Sequence, residues 1–135
     1  MRGNSMCIFC GIASHEIEAN IVYETDNVVA FLDSSPINEG HTLIIPKKHF
    51  CDADEIPDKL LSEIVCVSKK IVSAIKTVYN PDGYSIMQNG GEFNDIGHYH
   101  MHVFPRYKND EFGWTDSVRK HISSAEIADK IRKNL

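Results

Sequence analysis

The stretch Gly97-His98-Tyr99-His100-Met101-His102-Val103-Phe104-Pro105-Arg106 constrains the fold more tightly than any other part of the chain. It carries three of the seven histidines, at alternate positions. A β-strand has a side-chain period of two, so the three rings are expected on one face and Tyr99, Met101 and Val103 on the other. The pattern predicts a half-buried strand with an open imidazole row, stopped by Pro105, which has no N–H to give a ladder. A single strand histidine is ordinarily a satisfied surface or core residue. Three in alternation need partners for three donors and three acceptors. Two uses stand open: a metal held by the row, or a nucleophilic ring whose neighbours bind an anionic substrate and move protons.

The 135 residues suit one domain with a real hydrophobic core. With 42% hydrophobic and 24% charged residues, the composition is that of an ordinary soluble protein. The net charge of −5 argues against a broad nucleic-acid surface but not against a small phosphate ligand held by local donors. No apolar run approaches a membrane span. Residues 1–6 lack the apolar core of a signal peptide and read as a flexible N-terminus, with Met6 a second candidate initiator. Four cysteines, two of them close together, do not resemble a secreted disulfide framework. The chain is therefore expected in the cytoplasm with reduced thiols, binding neither membrane nor nucleic acid.

Cys7-x-x-Cys10 is open to metal, redox or chance readings. A short helical turn is expected at residues 11–15. Strands are predicted at residues 21–24 and 28–32, joined by an Asp26-Asn27 turn. A mostly buried strand is predicted at residues 40–46, flanked by His41 and His49. The longest helical pattern covers residues 54–80, with Pro57 in its first turn. Leu60, Leu61, Ile64, Val65, Ile71, Val72, Ile75, Val78 and Tyr79 form one broad apolar face, with Cys66 buried on it or beside it. Pro81-Asp82-Gly83 breaks this helix, a strand follows at residues 84–88, and a loop of small and polar residues leads into the histidines. Ser123 and Glu126 form a candidate capping box for a short terminal helix with basic residues at its end. Five strands meeting in hairpins, one long helix and a short C-terminal helix predict an antiparallel α+β domain.

His98-Tyr99-His100-Met101-His102-Val103-Phe104 resembles the signature of the histidine triad (HIT) family, His-x-His-x-His followed by apolar residues. Cys7-x-x-Cys10, Ala30-Phe31-Leu32-Asp33, Gly40-His41-Thr42-Leu43-Ile44-Ile45-Pro46-Lys47-x-His49 and Asn89-Gly90 look like family blocks in family order. The resemblance covers residues 7–106 as a HIT domain, leaving residues 107–135 as a C-terminal extension packing on the domain or on a dimer partner. It implies a Hint-like nucleotide hydrolase or nucleotidyl transferase. Such an enzyme acts at the α-phosphate of substituted nucleoside monophosphates, purine ones above all, with phosphoramidates as examples. His100 would be the nucleophile, forming a nucleotidyl-histidine, and His102 and His41 would complete the catalytic set. Phe31, Asp33, Ser34, Asn89, Asn94 and Asp95 would bind substrate together with His100 and His102. Asp33 would hold the ribose diol and Phe31 would line the base pocket. Cys7, Cys10, His49 and His98 would hold a structural Zn²⁺. A homodimer formed by pairing two five-stranded sheets is also implied. The alternatives are a dinucleoside polyphosphate hydrolase and, in another class, a non-catalytic nucleotide-binding or interaction module.

One departure from the family pattern bears on specificity. Many members carry Gln and then Ser or Thr four and three residues before the first histidine, where this chain has Asn94 and Asp95. A carboxylate beside a phosphate is unfavourable unless it meets a cation. The expectation is that Asp95 favours a basic leaving group, such as an amine.

Overall fold

The apolar runs at residues 28–32 and 42–46 leave no polar face. In the computed structural model, which describes residues 7–119 and 121–135, both become central strands covered on two sides. The flexible-start reading of residues 1–6 lies outside the described residues. The elements are α1 (Ile8–Ala13), β1 (Ile21–Glu24), β2 (Val28–Leu32), β3 (Thr42–Pro46), α2 (Asp58–Tyr79), β4 (Gly83–Gln88), β5 (Met101–Arg106) and α3 (Ala125–Arg132). The strands form one antiparallel sheet in the order β1-β2-β3-β5-β4, the predicted α+β class. No described helix is long and apolar enough to cross a membrane.

Strand alternation sorts the core into two layers. Val28, Ala30, Ile44, Met101 and Val103 face α2, while Val29, Phe31, Leu43 and Ile45 face α1. From α2 the first layer receives Ile64, Val67, Ile71 and Ile75. Fully burying one such side chain stabilises the fold by about 1.5–3 kcal/mol.

Several local expectations are corrected. The long helix begins at Asp58, not 54, and Asp54 lies in a separate 3-10 turn, Ala53–Glu55. Pro57 holds the preceding Ile56 in extended backbone (ψ 130°), so the turn and the helix cannot merge. The apolar face of α2 is narrower than predicted: Val65 and Val78 are 46% and 69% exposed, and Cys66 is exposed too. The first helix starts at Ile8, because the Cys7 sulfur caps it by accepting from the Cys10 N–H (3.2 Å). Ser124, not Ser123, caps α3, its hydroxyl accepting from the Ile127 N–H (3.3 Å).

Pro105 does not stop β5; it sits inside the strand, opposite Tyr84. Pairing of β3 with β5 ends at Thr42–Val103, so beyond that point β5 has a ladder partner on one side only. A strand open on one side tolerates a residue without an N–H.

Candidate active site and metal centre

The alternation carries through the triad as predicted: Tyr99, Met101 and Val103 belong to the core layer beneath α2. The imidazole row is not open, however. α1 covers this face of the sheet, and His98 and His100 are 0% and 3% exposed. Phe9 of α1 packs edge-on against both His100 and Phe31, at 5.2 and 5.3 Å between centroids. Regular pairing begins only at Met101, and Tyr99 instead donates its N–H to the Phe50 carbonyl (2.7 Å). Gly97, at φ +76°, makes the turn into His98, and Asn94 braces it by accepting from the N–H groups of Ile96 and Gly97.

The hydrogen bonds assign each ring its own tautomer. His100 Nδ1 lies 2.8 Å from the His98 carbonyl, which can only accept. The proton is therefore on Nδ1, and the Nε2 lone pair is free. His41 Nδ1 accepts from the Ile37 N–H (3.0 Å), so its proton is on Nε2. That Nε2–H points at His102 Nδ1, 2.9 Å away, which must accept. His102 is left with its proton on Nε2. Adjacent rings on one strand thus present opposite faces: a lone pair from His100 and a donor from His102. Burial is the first cause of a lowered pKa at His41 and at His102, where the charges of His100 and His41 add to it. His102 is pushed down to about 4, so the ring is neutral near pH 7.

Asp33 ends β2, and its Oδ1 accepts from the Ser35 N–H (2.9 Å) while Oδ2 lies 3.4 Å from His41 Nε2. Gly40, at φ +93°, sets up the return into β3; a Cβ there would come within 2.5 Å of the Tyr79 ring. A cleft of about 620 Å³ opens between α1 and the sheet. Phe31, Asp33, Ser34, Asp95, His100 and His102 all line it. His41 stands behind His102 rather than in the cleft wall. Asp95 is 86% exposed and reaches within 4.0 Å of His100 Nε2. Asn89, at the end of β4, is not among the lining residues. Asn94 gives its amide to the loop, donating to the Cys51 carbonyl (3.2 Å). Ile8, Phe9, Ile12 and Ile17 complete the apolar wall. These four were missed; Ile8, Phe9 and Ile12 had for signal only an apolar run around the Cys7-x-x-Cys10 pair, and Ile17, beyond Ser14-His15-Glu16, had none.

A second cluster adjoins this cleft. Ligand atoms of Cys7, Cys10, His49 and His98 all lie within 4.8 Å of one another. His98 Nε2–H donates to the Pro46 carbonyl (2.8 Å), which turns the Nδ1 lone pair toward the thiols, 3.4 Å from Cys7 Sγ and 3.6 Å from Cys10 Sγ. His49 Nδ1 lies 3.2 Å from Cys10 Sγ. A tetrahedral Zn²⁺ with ordinary bond lengths sets neighbouring S and N ligands roughly 3.5 Å apart. The donor set therefore fits a closed Cys₂His₂ ion site, with its histidine tautomer already fixed. Burial, followed by the neighbouring Cys7, pushes the Cys10 thiol up to about 12, so metal entry would displace its proton.

Asp33, His41 and His102 are also close enough to share an ion. The Ile37 N–H argues against it. It keeps the His41 proton on Nε2, the atom that would have to bind the metal. This group is a hydrogen-bond relay.

The HIT domain profile matches residues 14–109. An adenosine 5'-monophosphoramidase of Candida albicans is 34% identical, with 100% of this chain and 95% of that protein covered. Among solved structures, a HIT-family protein of Bacillus subtilis superposes with a TM-score of 0.85 at 37% identity, covering 96% of each chain. A zinc-bound histidine triad protein of Mycobacterium smegmatis superposes with a TM-score of 0.77 at 32% identity, covering 87% of this chain and 86% of that one. Profile, relatives and fold agree with the triad geometry, and the chain belongs to the histidine triad family.

Proposed function

We propose that this HIT-family hydrolase cleaves substituted purine nucleoside monophosphates, preferring a P–N bond, through a nucleotidyl-histidine at His100. The observation that carries the reading is the paired tautomers: a free lone pair on His100 Nε2 next to a proton donor on His102 Nε2. In the first step His100 Nε2 attacks the α-phosphorus in line. The P–N bond breaks, and the amine leaves with that electron pair and takes up one proton from solvent. In the second step water attacks phosphorus and gives up one proton to solvent, and the P–Nε2 bond breaks, its electron pair returning to His100. His102 Nε2–H donates to a phosphate oxygen, where charge grows in each transition state. His41 holds that ring in register. The free lone pairs of Asp33 suit a ribose diol, with Ser34 beside it, and Phe31 with the α1 side chains suits a base.

Asp95 supports the amine preference. Its exposed carboxylate stands at the mouth of the cleft, where it would repel a polyphosphate leaving group and attract an ammonium. Asn89 and Asn94 are proposed as outer contacts only, Asn94 acting through its brace on Gly97. The Cys7-Cys10-His49-His98 site is proposed to hold a structural zinc that fixes α1 against the triad strand. The name of the Candida albicans relative supports phosphoramidase activity, and the Mycobacterium smegmatis structure supports zinc. A homodimer through the β4 edge is proposed from its exposed Tyr84, Ile86 and Met87, with exposed Trp114 of the C-terminal extension nearby. A reducing, cytoplasmic setting suits the free thiols of that site.

The test is a turnover screen of adenosine and guanosine phosphoramidates against dinucleoside polyphosphates, with His100→Ala in parallel. Phosphoramidates should turn over fastest, and His100→Ala should lose at least about 1,000-fold. Hydrolysis unchanged in His100→Ala would overturn His100 as the nucleophile, and no turnover above buffer background in the unaltered protein would favour a non-catalytic binding module.

A further inference from the structure

We infer that Asn38 and Asp110 form a positioning clamp that holds His41 in the one tautomer the site needs; this rests on the phosphoryl-transfer reading above. Asp110 follows β5 and its side chain is only 7% exposed. Five donors converge on that carboxylate: Arg106 Nε (2.7 Å) and a second Arg106 nitrogen (3.1 Å), the N–H groups of Tyr107 (3.0 Å) and Phe112 (3.1 Å), and Asn38 Nδ2 (3.1 Å). Such convergence fixes the carboxylate in one orientation. Asn38 Nδ2 also donates to the Pro105 carbonyl (2.9 Å), so one amide ties the β2–β3 loop to β5 and to the turn beyond it.

The loop that Asn38 anchors closes on His41. The Asn38 carbonyl accepts from the His41 N–H (3.1 Å), and the adjacent Ile37 N–H donates to His41 Nδ1 (3.0 Å). The other side of the ring is held by the same cluster. Phe104 lies 4.8 Å from the His41 ring, Phe112 packs edge-on to Phe104 (5.4 Å), and the Arg106 guanidinium lies over Phe112 (5.0 Å).

The consequence is chemical. If Ile37 drifts away from Nδ1, the His41 proton is held on Nε2 only by His102 and by Asp33 Oδ2, 3.4 Å away, and a share of the rings can carry it on Nδ1. Its Nε2 lone pair would then face the lone pair of His102 Nδ1, and His102 would have to move its own proton to Nδ1. The donor that His102 presents to the cleft would be lost. A shift of one loop thus inverts the relay without touching substrate or His100.

Long-range ¹H–¹⁵N NMR of the full chain reads each histidine tautomer directly, alongside kinetics with adenosine 5'-phosphoramidate. In the unaltered protein His41 and His102 should be protonated on Nε2 and His100 on Nδ1. Asn38→Ala and Asp110→Asn should each give mixed tautomers at His41 and His102, leave His100 as it was, and lower kcat by up to about 100-fold with little change in KM. Ser85→Ala, which removes a neighbouring Arg106 contact, should keep both the tautomers and kcat. Unchanged tautomers in the two clamp variants, or an equal change in Ser85→Ala, would overturn the clamp. The readouts separate the two ideas: a fully active His100→Ala removes the phosphoryl-transfer reading through His100, whereas unchanged tautomers remove the clamp alone. If a clamp variant folds poorly, tautomers are still read on its folded fraction.

Discussion

His102 should make the protein sensitive to acid by an amount that follows from its surroundings. Its side chain is 19% exposed and wedged among other rings. Burial first, then charge on His100 and His41, brings it from an ordinary 6.5 to about 4, against weaker opposition from Asp33 and Asp95. Between those two values the unfolded chain binds more protons than the folded one. Stability is therefore unaffected by this ring above about pH 6.5, falls as the pH drops, and has lost its full share below about pH 4. At about 1.4 kcal/mol per pH unit of separation, that share is at most about 3.5 kcal/mol. Urea denaturation across this range, for the unaltered protein and for His102→Gln, isolates it from the other histidines. The difference between the two should change by about 2–3 kcal/mol toward relative destabilisation of the unaltered protein as the pH falls. Parallel stability curves would refute a buried neutral His102, and with it the tautomer assignment.

Other perturbations reach separate parts of the account. Purified protein should carry one zinc per chain by elemental analysis, and Cys7→Ala, which removes one of four clustered donors, should carry none and melt at lower temperature. Asp95→Ser should lower the ratio of phosphoramidate to dinucleoside polyphosphate turnover by about two- to fivefold, a small effect because its carboxylate is exposed and solvent-screened; an unchanged ratio would remove Asp95 from specificity. Ile64→Ala, on the α2 side of the sheet and fully buried, should cost about 2–5 kcal/mol by denaturation. Turnover per folded molecule should be unchanged there, because the site lies on the opposite face.

The sheet, the long helix and the facing of the triad were legible because they rest on short-range periodicity. Residues 99, 101 and 103 read as core from alternation alone, and they are core. What local patterns missed was set by distant partners. His98 differs from His100 because Cys7, 91 residues earlier, lies against its ring. The six-residue α1 is too short for its apolar spacing to reveal a wall over the triad. Pro105 read as a strand end because the sequence does not show where β3 stops pairing. Asp110 carries no local signal of its role; only folding brings Asn38, 72 residues earlier, to its carboxylate. Asp95 was visible as a departure from the family pattern, and the structure adds its distance from the proposed nucleophile.

In the proposed mechanism phosphorus is passed to His100 and then to water. Two in-line displacements each invert phosphorus, so together they retain its configuration. Turnover of an adenosine phosphoramidate made chiral at phosphorus with sulfur and heavy oxygen isotopes reads this outcome directly. Retention, together with a labelled nucleotidyl group trapped on His100 by rapid quenching, is the predicted result. Inversion would mean that water attacks the substrate itself and would contradict the account.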